Sequence, residues 1–367
     1  MEKVKLQDVA SFSKGQQING DELIENGQYE YLNGGINPSG HWKEFNVNGN
    51  TVTISEGGNS CGYINYMKFP FWCGAHCYYL YNLKIDSKYL YYALKSQQEK
   101  IMKLRSGACM PNIKKSDLGN FELIISTDVN IQNQTVLILE NISELINKRK
   151  QQLEKLDELV KSRFIEMFGT LENPVQEFKR ATLKELCTKI TDGKHGGCTQ
   201  EEGTERYFVG AREIYDNIVH YDTAPEINLA EFEKDYKRCN VEIGDFLIVN
   251  TGATIGKSAI ATDPRTECTL LQKSVALLKV KRELLNPVFL QYCYKVNEKM
   301  YKVESASAQP NLLLSKINST EIYVPPIESQ EQFSAFVKQT YKSKLQVQKS
   351  LEKLELLKNA LMQKYFG

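Results

Sequence analysis

The chain has 367 residues, enough for two or three domains, and its 41% apolar and 25% charged residues are ordinary for soluble globular protein. A net charge of +1 excludes a nucleic-acid binder that works by bulk charge, and leaves contact over small patches or alongside basic partners. No run of about 20 apolar residues exists, and the start MEKVKLQDVA lacks a signal-peptide core, which predicts a cytoplasmic protein with no membrane contact.

In chain order, alternating apolar residues at Thr51-Val52-Thr53-Ile54 predict a strand. Nine cysteines, odd in number and scattered, read as reduced thiols. Among them Cys73-x-x-His76-Cys77 lacks a second ligand pair at zinc-like spacing, so it reads as buried thiols on a strand, with no metal. A helix is expected over 89–104, and a long one over about 132–168, capped by Gly169. The second half repeats the order. Phe246-Leu247-Ile248-Val249 reads as a strand, and 287–303 as a helix with Asn286 as N-cap and Pro287 at its first position. Pro325-Pro326 ends a strand before a second long helix over about 329–365, with Gly367 behind it.

The order repeats because the chain is duplicated. Pro111, Asn112, Ser116 and Glu122 match Pro310, Asn311, Ser315 and Glu321 at a constant offset of 199. At offset 198, Gln132 and Gln134 match Gln330 and Gln332, Leu153-Glu154-Lys155-Leu156 matches Leu351-Glu352-Lys353-Leu354, and Phe168-Gly169 matches Phe366-Gly367. Leu6-Gln7-Asp8-Val9 resembles Leu183-Lys184-Glu185-Leu186, and Cys73 and Cys77 fall opposite Leu271 and Val275, which favours core thiols. The middles, 16–50 and 195–240, look unrelated. A shared scaffold with divergent inserts suits two modules that do one kind of job on two targets.

Both long helices carry an apolar seam stepping by 3 and 4. Ile146, Arg149, Leu153, Leu156, Val160, Arg163 and Met167 lie on it in the first, and Val337, Thr340, Lys344, Val347, Leu351, Leu354, Lys358, Leu361 and Tyr365 in the second, so the seam is polar in places. The common register predicts an antiparallel pair. A helix of about 36 residues is about 54 Å long, so the pair could act as a ruler between half-sites one DNA turn of about 34 Å apart.

With these elements in place the chain resembles the specificity (S) subunit of type I restriction–modification systems, over essentially its whole length. The resemblance rests on the ordered set occurring twice, on the junctions Gly107-Ala108-Cys109-Met110-Pro111-Asn112-Ile113 and Ser305-Ala306-Ser307-Ala308-Gln309-Pro310-Asn311-Leu312, and on the strand-turn GDFLIVNTGATIGKSAI at 244–260. The family often has Gln before Pro-Asn; Gln309 fits, and Met110 departs. Its Asp-Gly-x-His loop stands here as Asp192-Gly193-Lys194-His195, whereas the first half has only Lys14-Gly15-Gln16, which leaves the equivalence of the two loops open.

The resemblance implies an α+β fold with pseudo-two-fold internal duplication. Two similar mixed α/β target-recognition domains (1–129 and 170–327) are each followed by a long spacer helix (130–169 and 328–367), the helices packing as an antiparallel coiled coil. It also implies a non-catalytic subunit that reads a bipartite sequence in double-stranded DNA and docks two adenine-N6 methyltransferase (M) subunits, which two restriction (R) subunits can join. No cofactor is expected on this chain; S-adenosylmethionine belongs to M, and ATP and Mg to R.

DNA contact is expected from polar loops whose groups reach phosphates and base edges. In the first half these are Lys14 and Gln16, the run Asn33, Gly34, Gly35, Asn37, Ser39, His41 and Lys43, and Gly58, Asn59 and Ser60. In the second they are Thr191, Asp192, Lys194, His195, Arg212, Asn250, Thr251, Thr254 and Lys273. Thr251 to Ser258 is not a phosphate loop, since three residues rather than four separate Gly252 from Gly256. Tyr323-Val324-Pro325-Pro326-Ile327 lacks the acceptor and aromatic stack of an amino-methyltransferase site. Two other readings share these elements: a reader fused to a nuclease or methyltransferase, and a coiled-coil scaffold with no DNA role.

Overall fold

The computed structural model describes residues 1–107, 111–302 and 310–367. The junction positions Ala108, Cys109 and Met110, and Ser305 to Gln309, lie outside the described residues. The chain divides into two compact units: Met1–Gln151 with Gln348–Gly367, and Gln152–Val347. Each unit therefore draws on both long helices, which run Val129–Phe168 and Ile327–Phe366.

The first unit is built on a four-stranded antiparallel sheet ordered Ser11–Lys14, Cys77–Tyr81, Thr51–Ser55, Ile64–Met67. The second has the same order in Cys187–Asp192, Val275–Val280, Phe246–Val249 and Ser258–Ile260. Alternate residues of a strand face opposite sides. Phe246 and Ile248 accordingly join one core and Leu247 and Val249 another, which is why that segment reads as an unbroken apolar run. Each unit also has a short antiparallel pair, Glu2–Lys5 with Glu122–Ile125 and Lys179–Thr182 with Glu321–Val324.

The inserts are less unrelated than their sequences suggest. Tyr29–Leu32 lies parallel to Phe71–Cys73 with Leu32 opposite Cys73. Tyr207–Val209 lies parallel to Thr269–Leu271 with Val209 opposite Leu271. One strand of each insert thus holds the same place, and the difference begins after it. The first unit adds the strand Gly40–Trp42, and the second adds a hairpin of Ile214–Tyr215 with Ile218–Val219 and the helix Leu229–Asp235.

Helices Ser87–Ser96 and Pro287–Val296 cover the sheets. They stop short of the expected 104 and 303, at Gln97 and Asn297, where shorter helical turns take over. Asn286 accepts from Val288 N and caps its helix with Pro287 in the first turn, as expected. Cys73 and Cys77 are buried between strands, and the Cys73 thiol donates to the Cys77 carbonyl at 3.3 Å.

The long helices lock each unit from its ends. In the second unit, Phe164 and Phe168 pack against Phe289 and Phe333 at centroid distances of 5.0–5.9 Å, while Asp157 pairs with Lys344 at 2.6 Å. Contacts from 164 to 333 and from 157 to 344 run in opposite senses, which is antiparallel packing. Of the expected seam, Ile146, Val160, Thr340, Val347 and Leu351 are buried, but Phe164 and Phe168 replace Met167 as the deep positions. In the first unit Phe366 enters the core beside Tyr89 at 5.1 Å, and Lys150 pairs with Glu355 at 3.4 Å. Gly169 has φ +75°, and a Cβ there would lie 2.2 Å from Asn173 O, so the first helix ends at a position only glycine fits.

Candidate nucleic-acid interface

Four loops emerge at corresponding ends of the two sheets: after the first strand, after the parallel insert strand, after the central strand, and before the long partner strand. Their backbone frame is common. Lys14 pairs with Tyr78 and Asp192 with Ala276. Gln16 N then donates to Cys73 O at 2.9 Å, and Lys194 N to Leu271 O at 2.7 Å. Between them Gly15 and Gly193 sit so close that a Cβ would lie 1.8 Å from Cys73 O and 2.1 Å from Leu271 O. Lys14-Gly15-Gln16 and Asp192-Gly193-Lys194 are therefore the same turn, which the sequence left open. Gly57 and Thr251 likewise bridge to Asn112 and Asn311.

On this frame the side chains differ. In the first unit Lys14 pairs with Glu56 at 2.6 Å, and the same carboxylate takes His76 Nδ1 at 3.4 Å. Asn33 accepts from His76 N at 3.2 Å. Ser55 and Ser60 both donate to the carbonyl of buried Gly34, the second at 2.6 Å. Gly58 N is tied to Pro111 O at 3.0 Å, and Asn59 is exposed beside it. Asn65 holds Gly35 O and Ile36 O at 3.4 and 3.0 Å, which shapes the tip bearing exposed Asn37 and Ser39. His41 and Lys43 do not join this cluster. His41 stands opposite Glu30 on Gly40–Trp42, and Lys43 lies 5.7 Å from the Trp42 ring. Trp42 meets Trp72 edge-on at 6.2 Å, and Trp72 Nε1 donates to Gln16 O at 2.8 Å, so Gln16 borders this second, aromatic group.

In the second unit Asp192 is buried and occupied. Arg238 Nη2 reaches it at 2.5 Å and His195 Nε2 at 3.2 Å, while Arg238 Nε donates to its carbonyl at 3.0 Å. The Lys194 ammonium lies between Asp235 and Glu231 at 2.8 and 3.2 Å, which raises its pKa above the usual lysine range. Glu231 is held down at about 2, first by Thr199 and then by Lys194. Asn250 is buried, and its carbonyl accepts Leu312 N at 2.7 Å. Thr251 Oγ1 reaches Asn311 Oδ1 at 3.2 Å; Thr191 and Thr254 are half-buried. Arg212, Lys273 and His195 are exposed, and Lys273 N donates to Lys194 O at 3.0 Å.

The expected residues thus separate into two groups. Gly34, Asp192 and Asn250 are buried, and half-buried Lys194 is engaged by two carboxylates, so these four have partners within the protein. Gln16, Asn37, Ser39, Asn59, Arg212 and Lys273 are exposed; His195 is exposed but bonded to Asp192, and Lys14 is exposed but bound to Glu56, as is His76, which was not among the expected contacts. Arg238, Glu231 and Asp235 act as charge partners that the sequence did not single out, and Glu56, which begins a candidate loop, acts as one too. Arg238 is 46 residues from Asp192, and no local pattern links them. After Gly256 comes the strand Ser258–Ile260, not the helix a phosphate loop requires.

A family model for the type I restriction modification DNA specificity domain matches residues 1–155 and 176–356. A type I specificity subunit of Mycoplasma genitalium is 28% identical over 365 residues, 96% of this chain and 90% of that protein. Another, of Mycoplasma pneumoniae, is 39% identical over 159 residues; that match spans 41% of this chain and 42% of the relative. Among solved structures, the S subunit of a type I restriction–modification system from M. genitalium superimposes with a TM-score of 0.65 at 23% identity, covering 100% of this chain and 96% of that one. A chain from a study of assembly and conformational transition of the type I system gives 0.63 at 14% identity, over 99% and 97%. These two likenesses concern the fold. The family match takes in both halves with their repeated loops, and the chain belongs to the type I restriction–modification DNA specificity family.

Proposed function

We propose that the chain is the sequence-reading subunit of a type I restriction–modification complex, working in the cytoplasm and reading one part of a bipartite target with each unit. One observation carries the reading: the same loop frame occurs twice with different side chains on it. Lys14 stands where Asp192 does, and Gln16 where Lys194 does. A frame kept while its polar groups change suits two modules that read different bases, because bases are told apart by donor and acceptor pattern.

The chain performs no catalytic step in this reading. Two adenine-N6 methyltransferase subunits bind S-adenosylmethionine and act on the DNA that the chain positions, and up to two restriction subunits bring ATP and Mg. Partner docking on the long helices is supported by Ile131, Ile138 and Leu145, exposed by 38–45% at steps of seven along the first helix.

The test is selection of random duplexes by the chain assembled with its methyltransferase subunits. Two sequence blocks separated by unread positions are expected, with an affinity that falls steeply as salt rises. Recovery of no motif and a flat salt response would favour a scaffold without a DNA role.

A further inference from the structure

We propose that a groove on the second unit, lined by Arg180, Lys295, Lys299, Lys302 and Lys316, seats phosphates of the DNA backbone beside the bases that the loops read. The inference rests on the functional reading above and adds a site to it. The groove is an open cavity of about 1090 Å³ formed where the end of Pro287–Val296 meets Thr170–Glu172 and the Lys179–Thr182 edge. Glu172, Glu298 and Glu321 also line it, so cations are in excess by two. Glu172 is taken by Lys299. Arg180 Nη2 donates to Leu171 O at 2.7 Å, which leaves other guanidinium N–H groups for a ligand. Lys302 and Lys316 form no ion pair among the described residues. The groove adjoins the interface: a Cβ on Gly256 would lie 2.4 Å from the Tyr301 ring, so the loop carrying Thr251 and Thr254 rests against the residue before Lys302.

The duplication says what kind of ligand this is. Lys3 and Arg180 hold the same place, opposite Ile124 and Tyr323, which are themselves 199 apart. Counted from the helix caps Asp86 and Asn286, Lys95 corresponds to Lys295, and at offset 199 Lys100 and Lys103 correspond to Lys299 and Lys302; only Lys316 changes sign, to Asp117. The acids Glu298 and Glu321 also have counterparts, Glu99 and Glu122. Four of five basic positions are thus basic in both halves, while the reading loops between them have diverged. A charge kept where the readers differ fits the part of the ligand that is the same at both half-sites. In DNA that part is the sugar–phosphate backbone, which positions a protein without carrying sequence information.

The test uses the chain assembled with its methyltransferase subunits and the double variant Lys302→Gln/Lys316→Gln, with Lys184→Gln/Lys234→Gln as an equal change of charge elsewhere. Binding to target and to unrelated duplex should weaken by a common factor, on the order of tenfold, and the slope of log affinity against log salt should fall by about 1.8, or 0.9 per lost contact. The control should change neither, and the selected sequence should stay the same. An unchanged slope, or a changed target preference, overturns the groove as a backbone site. So does inorganic phosphate or a nucleotide that binds the parent through these lysines while DNA affinity is indifferent to them. If the parent itself shows no salt-dependent DNA binding, the functional reading fails and the groove assignment falls with it.

Discussion

The side-chain oxygen of Gln330 accepts a hydrogen bond from the backbone amide of Asn286 at 2.9 Å, and its Nε2 donates to Pro325 O at 2.8 Å. Gln132, 198 residues earlier, does the same to Asp86 N at 3.0 Å and Ser126 O at 2.8 Å. Asp86 and Asn286 are the N-caps of the two domain helices, so each long helix is clamped by its first turn to the helix that covers the sheet. Both glutamines are buried, at 2% and 0% exposure, so neither clamp has water to replace it. Gln330→Ala would leave buried donors and acceptors unmatched and should cost about 1–3 kcal/mol. Urea unfolding of the parent and of both single variants checks this; a loss near zero at both sites would mean the clamps are incidental.

Phe168 and Phe366 occupy equivalent positions at the ends of the long helices, and both are buried to 2% exposure or less. Phe366→Ala should cost about 3–5 kcal/mol. Its effect should be local in hydrogen exchange: faster exchange over Ser87–Ser96, with Pro287–Val296 unaffected. Phe168→Ala should give the converse pattern. Equal loosening of both helices in either variant would contradict separate cores.

Burial holds the Lys295 ammonium near a pKa of about 8, with Asp157 opposing the shift and Lys161 and Lys344 adding to it. A lysine whose folded pKa lies below its unfolded value binds more protons in the unfolded chain. Its cost to stability is therefore full below pH about 8 and fades towards pH about 10. Lys295→Met should be more stable than the parent near neutrality, and the advantage should shrink across that window. Denaturation midpoints of both proteins over this range test it; the difference between them cancels the buried tyrosines and cysteines, which titrate nearby. An advantage independent of pH would place the cause elsewhere.

Gly193→Ala should disturb the turn that carries His195, since its Cβ would meet two backbone carbonyls. Overpacking of this kind costs about 1–3 kcal/mol. Gly197→Ala, with open space around it, should be neutral. Target binding by the assembled complex separates them: weakened for the first, unchanged for the second.

The scaffold was legible in the sequence because duplication supplied two readings of each element. Offset matches placed the long helices and the apolar nature of Cys73 and Cys77. The inserts were not legible: Tyr29–Leu32 and Tyr207–Val209 share a place in the sheet and almost no residues, because parallel pairing is made by backbone groups. At the site, composition marked the loops but could not say which polar groups were already used. Asp192 and Lys194 look available in sequence and are taken by Arg238, Glu231 and Asp235, partners brought there by folding alone.

The central claim is that each unit reads its own part of the target. The direct measurement is a genome-wide map of methylated adenines in cells expressing the chain with its methyltransferase subunit, for the parent and for variants confined to one unit. Arg212→Ala with Lys273→Ala should relax one block of a bipartite motif by about 1–3 kcal/mol per lost base contact and leave the other block intact. Gln16→Ala with Asn59→Ala should do the reverse. A continuous or symmetric motif, or variants of one unit that blur both blocks alike, would contradict the account.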